Sequence, residues 1–253
     1  MKQLSIYTLL VTILLFSTSS CGEGGEDAVD FDRSLILTNA AENIIVPAHD
    51  SLISKLSDLF EKTSALSTEV DEASFIAARA SWEIARLQWA KLELYTFGPV
   101  ADFALVTKYS NWPLNEFGLE TSIARQSSYT TDDVASLPSN QIGFTAVEYL
   151  LFGDNALEEL SQSEGRRSIL VAMVALLQQN TERITAEWKN AYSASFIAST
   201  GTELGSSASL MANAYVESVQ DVLTFKISVP LGFQNNGMAL PDEVETRYAN
   251  ISM

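Results

Sequence analysis

The stretch GFTAVEYLLFG, Gly143 to Gly153, is nearly all apolar, yet it carries one carboxylate, Glu148. Read as a helix from about Gln141 to Phe152, it places Phe144, Val147 and Leu151 on one apolar face. Ile142, Ala146, Tyr149 and Leu150 cover much of the rest. Thr145 and Glu148 lie three apart and share the remaining strip. A helix apolar almost all round is a buried helix, and an unpaired carboxylate inside it costs several kcal/mol. The negative end of the helix dipole adds to that cost. Glu148 is therefore expected to be protonated, paired with a basic residue, or bound to a cation. Arg79, Arg86, Lys91, Arg125 and Lys226 are the candidate partners.

Glu93 repeats the setting. ELYTFG (93–98) and EYLLFG (148–153) both read Glu-x-x-x-Phe-Gly. Each glycine is expected at a left-handed helix cap, which puts each glutamate roughly one turn before a helix C-terminus. Two such carboxylates repel unless a cation lies between them, and this is the physical route to a metal site. A chance echo of two helix ends is the alternative. Gly143 sits in the first turn, where glycine costs up to about 1 kcal/mol against alanine. Close approach of another backbone, or flexibility at the helix start, would account for it.

The rest of the chain offers little else for catalysis. His49 is the single histidine, so a His-x-x-x-His zinc helix is excluded, and no nucleophile elbow accompanies it. VPAHD reads as a helix start, where His49 is expected as a surface or capping residue. Cys21 is the single cysteine, so intramolecular disulfides and CxxC sites are excluded. The net charge of −17, from 32 acidic and 15 basic residues, argues against nucleic acid as a partner.

The elements that must position Glu148 are helical. Leu52, Leu56, Leu59 and Leu66 form one stripe. Phe75, Ala78, Trp82, Ala85, Trp89 and Leu92 form a second, and Leu170, Val174, Leu177, Thr181, Ile184 and Trp188 a third. Met211, Tyr215, Val219 and Val222 continue the pattern. These are bundle seams. No strand alternation appears, so the expected fold is an all-α bundle of six or more helices. The aromatic-rich connection GPVADFALVTKYSNWPLNEFG is expected to be an ordered loop over a site.

The N-terminus reads as a targeting segment: Lys2, an apolar run from Leu4 to Phe16 too short to span a bilayer, small residues, then Cys21. This resembles a bacterial lipobox with a degenerate Thr18; an ordinary secretory signal with an incidental cysteine is the alternative. The expected organisation is a signal peptide at 1–20, a lipidated Cys21 with an acidic tether at 21–31, and a helical domain at 32–253. Gly22, in place of an aspartate, favours the outer membrane over retention at the inner one.

Six stretches in order resemble the imelysin family. GFTAVEYLLFG is similar to its Gly-x-His-x-x-Glu signature, with Thr145 at the histidine position. IIVPAHDSL, SWEIARLQWAKLELYTFGPV, NWPLN, FKISVPLGF and PDEVETRYANIS are similar to its first helix, its Trp-rich helix, its Trp-Pro loop and its Lys-x-x-x-Pro-Leu-Gly and Val-Glu-x-x-Tyr segments. The resemblance implies an all-helical fold of two bundle-like halves, here with the second half short. It also implies a bacterial envelope protein, often a lipoprotein linked to iron uptake, with some members named as peptidases. Carried over residue by residue, the signature falls on Gly143, Thr145 and Glu148. Threonine is a poor ligand for a divalent transition metal. Any site for a divalent or ferric cation would then be oxygen-rich, drawn from Glu148, Glu93, Asp102 and Asn115. The leading expectation is a lipid-anchored binding protein for iron, another metal or an envelope ligand at a cleft around Glu148. A metallopeptidase and a scaffold without metal are the alternatives.

Overall fold

The computed structural model describes residues 32–250, and those from Arg33 onward fall in one compact unit. Residues 1–31, with the signal peptide, Cys21 and the tether, lie outside the described residues. The described chain is helical with no strand, and none of its helices is long and apolar enough to cross a membrane.

Helix α1 (Arg33–Thr38) runs through a π-helical segment (Asn39–Ile45) into α2 (Val46–Thr68). Pro47 lacks the amide that a continuing α-helix requires, which accounts for the widened hydrogen bonding just before it. Helix α3 (Glu72–Leu92) starts at a capping box between Asp71 and Ser74. Four short helices follow: α4 (Pro99–Asp102), α5 (Val106–Tyr109), α6 (Glu116–Ile123) and α7 (Thr131–Ala135). Then come α8 (Gly143–Phe152), α9 (Ala156–Gln162) and the long α10 (Glu164–Glu187), which continues as a π segment (Trp188–Tyr192) into α11 (Ser193–Ala198). Helix α12 (Ser207–Asp221) ends in a third π segment, Val222–Ser228.

Helix α2 packs against both α3 and α10, and α8 inserts between α3 and α10. The three stripes predicted on these long helices are buried throughout, from Leu52 to Trp188. The fourth differs. Val219 is 60 % exposed, Tyr215 and Val222 are exposed and Met211 is half-buried, although the Tyr95 ring meets Tyr215 edge-on. Its apolar side continues through Leu223, Phe225 and Phe233.

Other expectations also change. The connection after Gly98 is ordered but helical in part, holding α4 and α5. His49 is buried inside α2 rather than at the surface or in a cap; its Nδ1–H donates to Ile45 O at 2.9 Å, and burial lowers its pKa. Gly153 is extended at φ −61°, ψ 167°, not left-handed. Gly98 does have positive φ, but it precedes α4 instead of closing α3, which ends at Leu92.

Candidate functional site

Helix α8 is fixed at its N-terminal turn. Trp82, on α3, donates its indole N–H to Phe144 O at 3.1 Å. Gly143 has φ +83°, and a Cβ there would lie 2.5 Å from Tyr109 O and 2.6 Å from Lys108 O. Close approach of the α5 backbone is thus what calls for glycine. Thr145 is buried, with its hydroxyl 3.4 Å from that of Ser110.

Glu148 is 1 % exposed. Its Oε1 accepts two backbone amides, Tyr248 N–H and Ala249 N–H, each at 2.8 Å. Burial pushes its pKa up to about 7. The two amides and the Arg86 guanidinium pull the other way, while Glu245 adds to the rise. The neutral acid therefore persists to higher pH than in an ordinary glutamate. Among the five basic residues considered as partners, only Arg86 acts on it. Arg79 lies 4.2 Å over the Phe152 ring and Lys91 donates to Gln88.

Arg86 and Lys226 join two other carboxylates into a four-residue network. Arg86 Nη2 meets Glu93 Oε1 at 3.0 Å and also bonds Glu245 Oε1. Lys226 Nζ meets Glu93 Oε2 at 2.9 Å and Glu245 Oε2 at 2.7 Å. Burial would lower the Lys226 pKa, but the carboxylates of Glu93 and Glu245 raise it above its ordinary value. Each element contributes one member: α3 carries Arg86, its C-cap is Glu93, the last π segment carries Lys226, and the segment after Leu240 carries Glu245. That last segment is pinned further by Tyr248, whose hydroxyl donates to Glu116 Oε1 at 2.6 Å and whose ring meets Tyr149 edge-on.

A cleft of about 610 Å³ opens beside this network. Glu93, Lys226, Glu245, Ser110, Trp89 and Trp112 are among its walls. Thr145 and Glu148 are not among its walls, but Ser110, whose hydroxyl lies 3.4 Å from that of Thr145, is.

The four proposed oxygen donors do not converge. Glu93 is engaged by Arg86 and Lys226, and Glu148 by amides, whose hydrogens are the wrong polarity for a cation's neighbours. Asn115 caps α6, accepting Gly118 N–H at 2.9 Å. Asp102 lies on α4, where its charge adds to the rise that burial gives the Tyr192 pKa. No group of three or more His, Cys, Asp or Glu among the described residues is placed to hold a metal ion. The side chains present do not fit a bare transition-metal ion. Lys226 was expected as a partner of Glu148 but pairs with Glu93 and Glu245 instead, and Glu245 and Tyr248 were missing from the predicted site although they lie in the PDEVETRYANIS stretch.

The sequence model of the imelysin family, peptidase M75, matches residues 45–253. Iron-regulated protein A of Synechococcus elongatus is 25 % identical over 215 residues, a match covering 81 % of this chain and 56 % of that protein. The chain thus spans little more than half the length of this curated relative. Two crystal structures share the fold at a TM-score of 0.71 each. An imelysin-like protein from Psychrobacter arcticum is 20 % identical, over 84 % of this chain and 67 % of that one. A putative iron-regulated protein A precursor from Parabacteroides distasonis is 19 % identical, over 89 % of this chain and 70 % of that one. The chain belongs to the imelysin family.

Proposed function

We propose that this protein is an imelysin-like binding protein of the bacterial cell envelope, acting in iron acquisition. It would be tethered by a lipid on Cys21 to the outer membrane and would hold its ligand in the cleft beside the Arg86–Glu93–Lys226–Glu245 network. The iron link rests on the family and on the name of the relative. One observation carries the binding role: both glutamates expected to hold a cation are engaged by the chain's own cations and amides, while an open cleft remains beside Glu93. A cleft whose Glu93, Lys226 and Glu245 charges are paired with one another suits reversible binding of a molecule better than hydrolysis, which needs an activated water or nucleophile.

Calorimetric titration with Fe(II), Fe(III), Zn(II), Mn(II) and Ca(II) tests the metal part, with Glu148→Ala as control. We expect no saturable site that depends on Glu148; saturable binding abolished by the substitution would overturn the reading and restore a metal centre. Cleavage of casein that a chelator stops would establish the metallopeptidase instead. Expression that rises on iron limitation supports the iron role, and unchanged expression removes it. Loss of membrane fractionation in Cys21→Ala tests the anchor.

A further inference from the structure

Arg79 is a cation that the rest of the molecule leaves unused. It makes no hydrogen bond and no ion pair among the described residues, in a chain with 32 acidic and 15 basic residues. Glu83 lies four residues further along α3, at the spacing of a helical ion pair, and does not take it. The side chain instead leans back along α3, with its Cζ 5.2 Å from the centre of the Phe75 ring and 4.2 Å from that of Phe152. Phe152 is backed in turn by Trp82, at 5.1 Å. The two rings stabilise the charge and fix its place, yet none of the five N–H donors of the guanidinium has an acceptor. Those nitrogens are not buried.

Arg79, Phe75 and Phe152 all line one cleft of about 580 Å³, which shares no residue with the cleft beside the network. Leu151, Ala156 and Leu157 add apolar wall. Asn155, also in the wall, stands at the N-cap of α9 without a side-chain cap bond, so its amide is free. Glu158 is the one other charged residue there; it is exposed and accepts from Gln162. A guanidinium forks onto a single carboxylate, and Glu158 opposes a second negative charge on the same ligand. An apolar cleft of this size with few polar groups has the make-up of a small-molecule site.

We propose that this cleft binds a monocarboxylate with an apolar body: the carboxylate accepts from Arg79 and from the Asn155 amide, and a short alkyl or aryl chain lies along Phe75, Leu151, Phe152 and Leu157. The site stands apart from the cleft of the proposed function and does not rest on it.

The test is calorimetric titration of the full chain with octanoate, octanol, octylamine and octyl phosphate. Octanoate is expected to saturate one site. Octanol and octylamine should bind roughly tenfold more weakly or not at all, and octyl phosphate, with its second negative charge, more weakly than octanoate. Arg79→Gln should weaken octanoate roughly tenfold or more, and Arg79→Lys, which keeps the charge but not the fork, should fall between. Asn155→Gly keeps the positive φ, leaves the core untouched and should weaken octanoate severalfold. Val219→Ser, on the exposed apolar face of α12, should leave octanoate binding unchanged. No saturable site, octanol binding as tightly as octanoate, affinity unchanged in Arg79→Gln, or affinity lost in Val219→Ser would each overturn the proposal.

Discussion

Replacing Glu148 by glutamine should change how stability depends on pH. The carboxyl titrates at about 7 in the folded protein against an ordinary value of 4.5, and burial is the main cause. A raised acid favours folding in its neutral form. Its contribution is fully present below pH 4.5 and is lost as pH rises through about 7. At about 1.4 kcal/mol for each unit, the span between the two values amounts to roughly 3 kcal/mol. Glutamine keeps an oxygen to accept from Tyr248 N–H and Ala249 N–H but cannot ionise. The variant should therefore gain on the wild type between pH 5 and pH 7 and level off above that, by roughly 2–3 kcal/mol in all. Urea unfolding of both proteins across that range measures the difference directly. A wild-type-minus-variant difference that stays flat with pH would refute the reasoning. A difference that moves toward the wild type as pH rises would show that the amides and Arg86 outweigh desolvation.

Further outcomes follow from the contacts around this helix. Glu245→Gln strips one carboxylate from both Arg86, which is 1 % exposed, and Lys226; it should cost about 3–5 kcal/mol and lower Tm, as breaking a buried ion pair does. Gly143→Ala places a Cβ 2.5 Å from Tyr109 O at positive φ, and backbone strain alone should remove about 1–3 kcal/mol in a denaturant titration. Trp82→Phe leaves Phe144 O without the indole donor inside the core, for a loss of about 1–3 kcal/mol in the same assay.

The long helices were legible because each buries one stripe, and a stripe has a period. Leu52 to Leu66, Phe75 to Leu92 and Leu170 to Trp188 are buried as their spacing predicts. The same logic misled at Met211 to Val222, since a period reports an apolar face but not whether anything covers it. Glu148 was legible as a problem, a charge in an apolar helix, and three solutions were open. The one adopted uses backbone amides at 248 and 249, a hundred residues away, together with partial protonation. Main-chain donors have no residue type, so no search among basic side chains could find them. Glu93 was read as a metal ligand because its echo of Glu148 was visible, whereas its pairing with Arg86 and Lys226 depends on where a π segment aims one lysine. Gly143 left two explanations open, and the close carbonyls of Lys108 and Tyr109 select one.

The clamp on Glu148 has a consequence for which changes the protein tolerates. Its two donors are amides, so the side chains of Tyr248 and Ala249 can be exchanged without removing either bond; proline is the exception, because it has no N–H. The distance along the chain is constrained instead. Glu245 must reach Arg86 and Lys226 while the amides three and four residues later reach Glu148. Inserting or deleting one residue between Glu245 and Tyr248 breaks that register where many substitutions would not. The segment acts as a ruler, and selection on it falls on length before composition.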